Sequence, residues 1–202
     1  MRFKLCGVRI EIAFPAVAVL CLAVFLTHNG ETFIPICLLC SVIHEVGHLI
    51  FICRYSGKPD SILINSGEVS INCNLSQLSF VQDVIITCAG VCFNFITALI
   101  SAILYMMLSL NLLKDITACS ICIGVFNLLP VKTFDGGQLL SNLLSTRLSS
   151  KTTDRIVNIF TIIITVPIAT LGFYILLISE FNYSMLAVAI YIITVIFSKE
   201  MR

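Results

Sequence analysis

Long apolar runs, separated only by short polar breaks, constrain this chain more than any other feature. Six can be marked out, at roughly 10–27, 33–53, 84–109, 116–131, 156–178 and 184–198. A helix needs about 20 apolar residues to cross the hydrocarbon core of a bilayer. Each run is close to that length, the fourth and sixth being short. Composition agrees, with 58% hydrophobic and 11% charged residues, where a soluble domain carries roughly 25% charged. There is too little polar surface to cover a globule in water. The expected fold class is an all-α polytopic membrane protein of about six transmembrane helices with a small cytoplasmic-side β-hairpin. A single domain over residues 1–202 is expected, with no appended C-terminal regulatory domain.

Charge placement tests this reading independently. With the N-terminus inside and six helices alternating, the inner segments hold Arg2, Lys4, Arg9, Arg54, Lys58, Lys132, Arg147, Lys151, Arg155, Lys199 and Arg202. The outer loops (28–32, 111–115 and 179–183) hold only Lys114. Eleven against one is the positive-inside bias of a membrane protein. It puts both termini, and the long segments 54–83 and 132–155, in the cytoplasm. The first run resembles a signal peptide but has no small-residue cleavage site before His28, so it reads as a retained span. A net charge of +1 gives no electrostatic case for nucleic acid.

The ten cysteines fall mostly inside apolar runs, among them Cys21, Cys37, Cys40, Cys88, Cys92, Cys119 and Cys122. There they act as small polarisable apolar residues. Two C-x-x-C pairs, Cys37/Cys40 and Cys119/Cys122, lie at helical spacing without the turn that zinc or redox motifs use. In segment 54–83, Ile62, Ile64, Val69 and Ile71 alternate with polar residues around Ser66-Gly67. That spacing fits either a hairpin or an ordinary loop.

The stretch SVIHEVGHLI, residues 41–50, puts three ionisable groups inside an apolar span. Each costs roughly 2.5 kcal/mol or more there if left alone. His44 and His48 are four apart, on one helix face, so both imidazoles can address one ion. Glu45 is placed to reach water at that ion. Zinc takes nitrogen and carboxylate ligands and, in catalytic sites, keeps one position for water. The other histidine, His28, lies most of a bilayer away at the outer end of the first span. Asp135 is the better third ligand. It follows Pro130, which ends the fourth span, and precedes Gly136 and Gly137, which are expected to turn the backbone sharply.

HEVGH in one span and NLLPVKTFDGG at the end of another resemble the site-2 protease family of intramembrane zinc metalloproteases, and within it the stage IV sporulation protein FB group. The resemblance implies one Zn2+ per chain on His44, His48 and Asp135, with Glu45 as catalytic base. The family's A-G-P-x-x-N stretch reads here Ala89-Gly90-Val91-Cys92-Phe93-Asn94. Val91 replaces its proline. Asn94 would hydrogen-bond near the substrate or transition state, or act as a polar pin between helices. Gly67 matches a hairpin that offers a strand edge to the unwound substrate.

By the same resemblance, the chain would sit in a bacterial cell membrane and perform regulated proteolysis of a membrane-embedded or membrane-tethered protein, such as a pro-sigma or anti-sigma factor. Its partners would be that substrate, the lipid bilayer, and regulatory membrane proteins or further copies of itself. The rival readings are a metal transporter and a catalytically inactive metal-binding scaffold. Glu45 argues against the transporter, which needs no base beside the ion, and the full set His44, Glu45, His48 and Asp135 argues against the scaffold.

Overall fold

The computed structural model describes residues 2–5, 8–12, 32–57, 61–64, 69–72 and 78–178. Its elements are β1 (Arg2–Leu5), β2 (Val8–Ile12), α1 (Phe33–Ser56), β3 (Ser61–Ile64), β4 (Val69–Asn72), α2 (Phe80–Leu108), α3 (Asn111–Leu128), α4 (Asp135–Ser145) and α5 (Ser150–Ile178). The chain divides into two compact units, 1–125 and 126–202. Among the described residues, four helices are long and apolar enough to cross a membrane: α1, α2, α3 and Ser150–Leu171 of α5. Their outward side chains are apolar, with Leu99 63% and Met106 84% exposed. In water such a surface would aggregate; against lipid it is at rest. The chain is an integral membrane protein.

Two of the six expected spans, 13–27 of the first and 184–198 of the sixth, lie outside the described residues. The first expected span does not begin at residue 10, because residues 8–12 form a strand. Arg2-Phe3-Lys4-Leu5 and Val8-Arg9-Ile10-Glu11-Ile12 alternate polar and apolar residues at period two, a strand pattern. The all-α expectation is therefore corrected to helices plus a four-stranded sheet, ordered β1-β2-β3-β4. β1 and β2 pair antiparallel, β2 and β3 parallel, and β3 and β4 antiparallel with Ile62 opposite Ile71. The residues between β3 and β4, Gly67 among them, lie outside the described set.

Helix boundaries also move, for local reasons. α2 starts at Phe80 rather than 84. Ser79 Oγ accepts from the Gln82 amide while Gln82 Oε1 accepts from the Ser79 amide, a capping box. The helix ends where Ser109 turns left-handed, with φ 51°, and donates to Tyr105 O at 2.8 Å. Residues 111–115, expected as an outer loop, are instead the first turn of α3. Segment 132–155 contains α4 and the start of α5.

In the first unit, α1 packs along α2. Gly47 is buried at the contact. A Cβ there would meet Ala89 O at 2.9 Å, Phe93 Cγ at 3.0 Å and Gly90 Cα at 3.1 Å. In a membrane, where apolar burial cannot drive helices together, small residues let backbones approach closely. In the second unit, Val131 is fully buried. The Lys132 amide donates to Thr161 Oγ1 at 2.9 Å, and Thr161 donates onward to Val157 O at 2.8 Å.

Gly136 and Gly137 were expected to form a sharp turn. They lie instead in the first turn of α4. What they supply is proximity: a Cβ on Gly136 would strike Leu128 O, and one on Gly137 would strike Val131 O.

Gly47→Leu is expected to force α1 and α2 apart and to cost about 1–3 kcal/mol, the usual penalty for overpacking. Thermal unfolding in detergent should show a clearly lower midpoint than wild type, whereas Gly124→Ala, whose nearest contact would be 3.3 Å, should shift it little.

Candidate metal centre

His44, Glu45 and His48 lie on α1. His44 is 5% exposed, and His48 and Glu45 are half-buried. The two imidazoles meet edge to face, with centroids 4.7 Å apart and planes at 80°. His48 Nδ1 is 2.8 Å from the carbonyl oxygen of Ile86. A carbonyl can only accept, so Nδ1 carries the hydrogen and Nε2 is the bare nitrogen of the neutral ring. That Nε2 lies 3.1 Å from His44 Nε2.

Behind His44 stands Asn94, fully buried on α2. Its Nδ2 lies 3.2 Å from His44 Nδ1, while its Oδ1 is buried with no hydrogen-bond partner. Amide nitrogen and oxygen are assigned by their hydrogen bonds rather than seen directly. Turned over, the amide presents Oδ1 to the Nδ1–H of His44. The buried oxygen is then satisfied, and the bare nitrogen of His44 is also Nε2.

Without an ion, a hydrogen on one Nε2 would let it donate to the other at 3.1 Å; with both Nε2 atoms bare, the pair can share a cation. A tetrahedral zinc with Zn–N near 2.05 Å separates two ligand nitrogens by roughly 3.3 Å. The observed spacing is close to that. His48 is held from behind by the Ile86 carbonyl, and the Asn94 amide, turned over, would hold His44 in the same way, as metal-binding histidines usually are held. The residues present fit a zinc ion.

Gly90 keeps this space open. A Cβ on it would collide with His48 Nε2 and come within 2.8 Å of His44 Nε2 and Cε1. Gly90 and the Ile86 carbonyl contact the histidines in ways that the motif reading missed. The available signal was a glycine inside a long apolar helix, which marks close approach rather than helix propensity.

The structure thus brings His44, His48 and Asn94 together. Asn94 pins α2 to α1 through His44, the second of the two roles expected for it, though the sequence did not name its partner. Val91, where the family pattern has proline, is buried and α2 runs unbroken through it. Asp135 is the first residue of α4, in the second unit. A carboxylate is stabilised at that end by the helix dipole. Gly67 lies outside the described residues.

Comparison with known proteins points the same way. Residues 109–171 match the model of Peptidase family M50. This region contains Asp135 but not HEVGH, so the two signals come from separate parts of the chain. No curated protein sequence matches. The fold is similar to that of a site-2 protease from Methanocaldococcus jannaschii, with a TM-score of 0.70 and 21% identity, covering 95% of this chain and 91% of that one.

Gly90→Ala is expected to push the imidazoles apart and to lower zinc content per purified chain well below that of wild type, read by atomic absorption. Retention of full zinc would mean that the ion does not use both Nε2 atoms.

Proposed function

We propose that this chain is an intramembrane zinc metalloprotease acting on a membrane-embedded or membrane-tethered protein. One observation carries the reading. A membrane-crossing H-E-x-x-H helix holds two imidazole Nε2 atoms 3.1 Å apart, each ring tied through Nδ1 to α2. The peptidase-family match at 109–171 and the site-2 protease fold support it.

His44 and His48 would hold the ion with Asp135. Two nitrogens and a carboxylate are a donor set that catalytic zinc uses, with one position left open. Asp135 also has a fixed backbone: Gly136 and Gly137 seat the start of α4 against residues 128–132, and Thr161 holds Lys132. Bound there, zinc supplies Lewis-acid chemistry, polarising the scissile carbonyl and acidifying water. Glu45 would act as the base, taking a proton from the attacking water and returning it to the leaving amine. Asn94 acts as a positioning residue, accepting the Nδ1–H of His44 and fixing its tautomer.

A peptide bond inside a helix is shielded, so the substrate must first be extended. Strand addition stabilises an extended segment. β3 is already paired on both sides, so the edge offered within 61–72 falls to β4, Val69–Asn72. By the family resemblance, Gly67 belongs to the hairpin that would offer this edge. The site would open to the cytoplasm of a bacterial cell, and the substrate would be a pro-sigma or anti-sigma factor, as the resemblance to site-2 proteases and their stage IV sporulation protein FB group implies. Regulatory membrane proteins or a second copy of the chain complete the partners.

Zinc content of the protein purified in detergent tests the ligands. One zinc per chain is expected in wild type and Glu45→Gln, and a loss in His48→Ala and Asp135→Ala. Chelation should lower the unfolding midpoint of wild type but not of His48→Ala, because an ion that binds only the folded state stabilises it. Mapping of new protein N-termini in expressing cells should show cleavage products with wild type and none with Glu45→Gln. Products that persist with Glu45→Gln would remove the protease reading in favour of a transporter or scaffold.

Asn94→Ala is expected to weaken zinc binding about 10- to 100-fold, the usual cost of losing an outer-shell partner. Asn94→Asp, which can still accept from Nδ1–H, should recover most of it in competition with a chromogenic chelator.

A further inference from the structure

α1 and α3 meet through sulfur. Cys37 Sγ and Cys119 Sγ are 3.2 Å apart, although 82 residues separate them in sequence. Ile36, Cys40 and Cys119 form a buried cluster, with Cys37, Ile116 and Ile123 packed on it. Cys40 is engaged elsewhere: its Sγ accepts from Ser120 Oγ at 3.3 Å and faces Ile116 O at 3.9 Å. Cys122, the remaining member of the two C-x-x-C pairs, is exposed. Among the described residues, no three thiols converge as metal ligands would. What remains is a facing pair on two different helices.

We propose that Cys37 and Cys119 are a redox modification site, converted to a disulfide by a membrane-soluble hydroperoxide. A disulfide of about 2.05 Å needs the sulfurs to close by about 1.2 Å, a small movement for two side chains already in contact. The site sits in apolar spans, where charged oxidants do not partition but organic hydroperoxides do. Cys37 is the half-buried member and Cys119 is only 3% exposed, so Cys37 meets the oxidant first.

Its sulfur attacks the O–O bond, giving a Cys37 sulfenic acid and the alcohol. The Cys119 thiol then attacks that sulfur. The S–S bond forms, the S–OH bond breaks, and the hydroxyl leaves with the thiol proton as water. Two thiols and one hydroperoxide thus give one disulfide, one alcohol and one water. Cys37 precedes His44 by seven residues, about 10 Å along the helix. The bond would brace the helix that carries the histidines without entering their site, so this inference does not depend on the protease reading.

The experiment is oxidation of the detergent-purified protein with cumene hydroperoxide, then alkylation of free thiols, proteolysis and mass spectrometry. The expected product is a Cys37–Cys119 cross-linked peptide, two hydrogens lighter than the reduced pair and reversed by dithiothreitol. It should be absent in Cys37→Ser and present in the triple variant Cys53→Ser, Cys92→Ser, Cys122→Ser, with zinc content unchanged by oxidation. If Cys119→Ser fails to fold, Cys37→Ser with its half-buried site still decides. Linkage of Cys37 to a different cysteine, arrest at a Cys37 sulfinic acid, or a pair left fully alkylatable would each overturn the proposal.

Discussion

The close approach of α1 to α2 at Gly47 and Gly90 is the contact on which the candidate metal centre depends. Side chains at those two positions would hold the helices apart. Because they are absent, the imidazoles of His44 and His48 lie directly against α2. There the Ile86 carbonyl and the Asn94 amide reach their Nδ1 atoms. The same contact therefore sets the ring orientation and the 3.1 Å spacing of the two Nε2 atoms.

This arrangement also shows how an apolar span tolerates polar groups. Each buried donor or acceptor must find a partner in a phase that contains no water. His48 finds a backbone carbonyl, and His44 finds Asn94. Elsewhere in the first unit, the Ser101 and Thr117 hydroxyls lie 2.8 Å apart, so one can donate to the other while the second donates to its own helix carbonyl, Ala98 O or Leu113 O. In the second unit, Thr161 both accepts and donates. The lipid-facing surfaces meanwhile stay apolar, so the polar chemistry is confined to helix contacts.

The sheet adds a constraint on how a substrate could be held. β3 is sandwiched between β2 and β4, and the outer edges belong to β1 and β4. A segment seeking backbone hydrogen bonds can extend the sheet only at those edges. β1 and β2 were hidden in the sequence by their charges. Arg2, Lys4 and Arg9 read naturally as inner-side anchors, yet they are also the polar half of an alternating pattern.

The solvent and the pairing of two imidazoles on one helix face were legible in the chain alone. Apolar runs with few charges admit only a membrane, and H-E-x-x-H at helical spacing puts two imidazoles on one face because the helix period is 3.6 residues. Those are local rules, readable from neighbours in the chain. Which groups stand behind the imidazoles was not readable, because Asn94 and His44 are 50 residues apart and meet only when two helices cross. The same holds for Cys37 and Cys119, and for the parallel pairing of β2 with β3. Gly136 and Gly137 show the division most plainly. Their smallness was visible in the sequence, but the reason for it, a backbone packed against them, exists only in the folded chain.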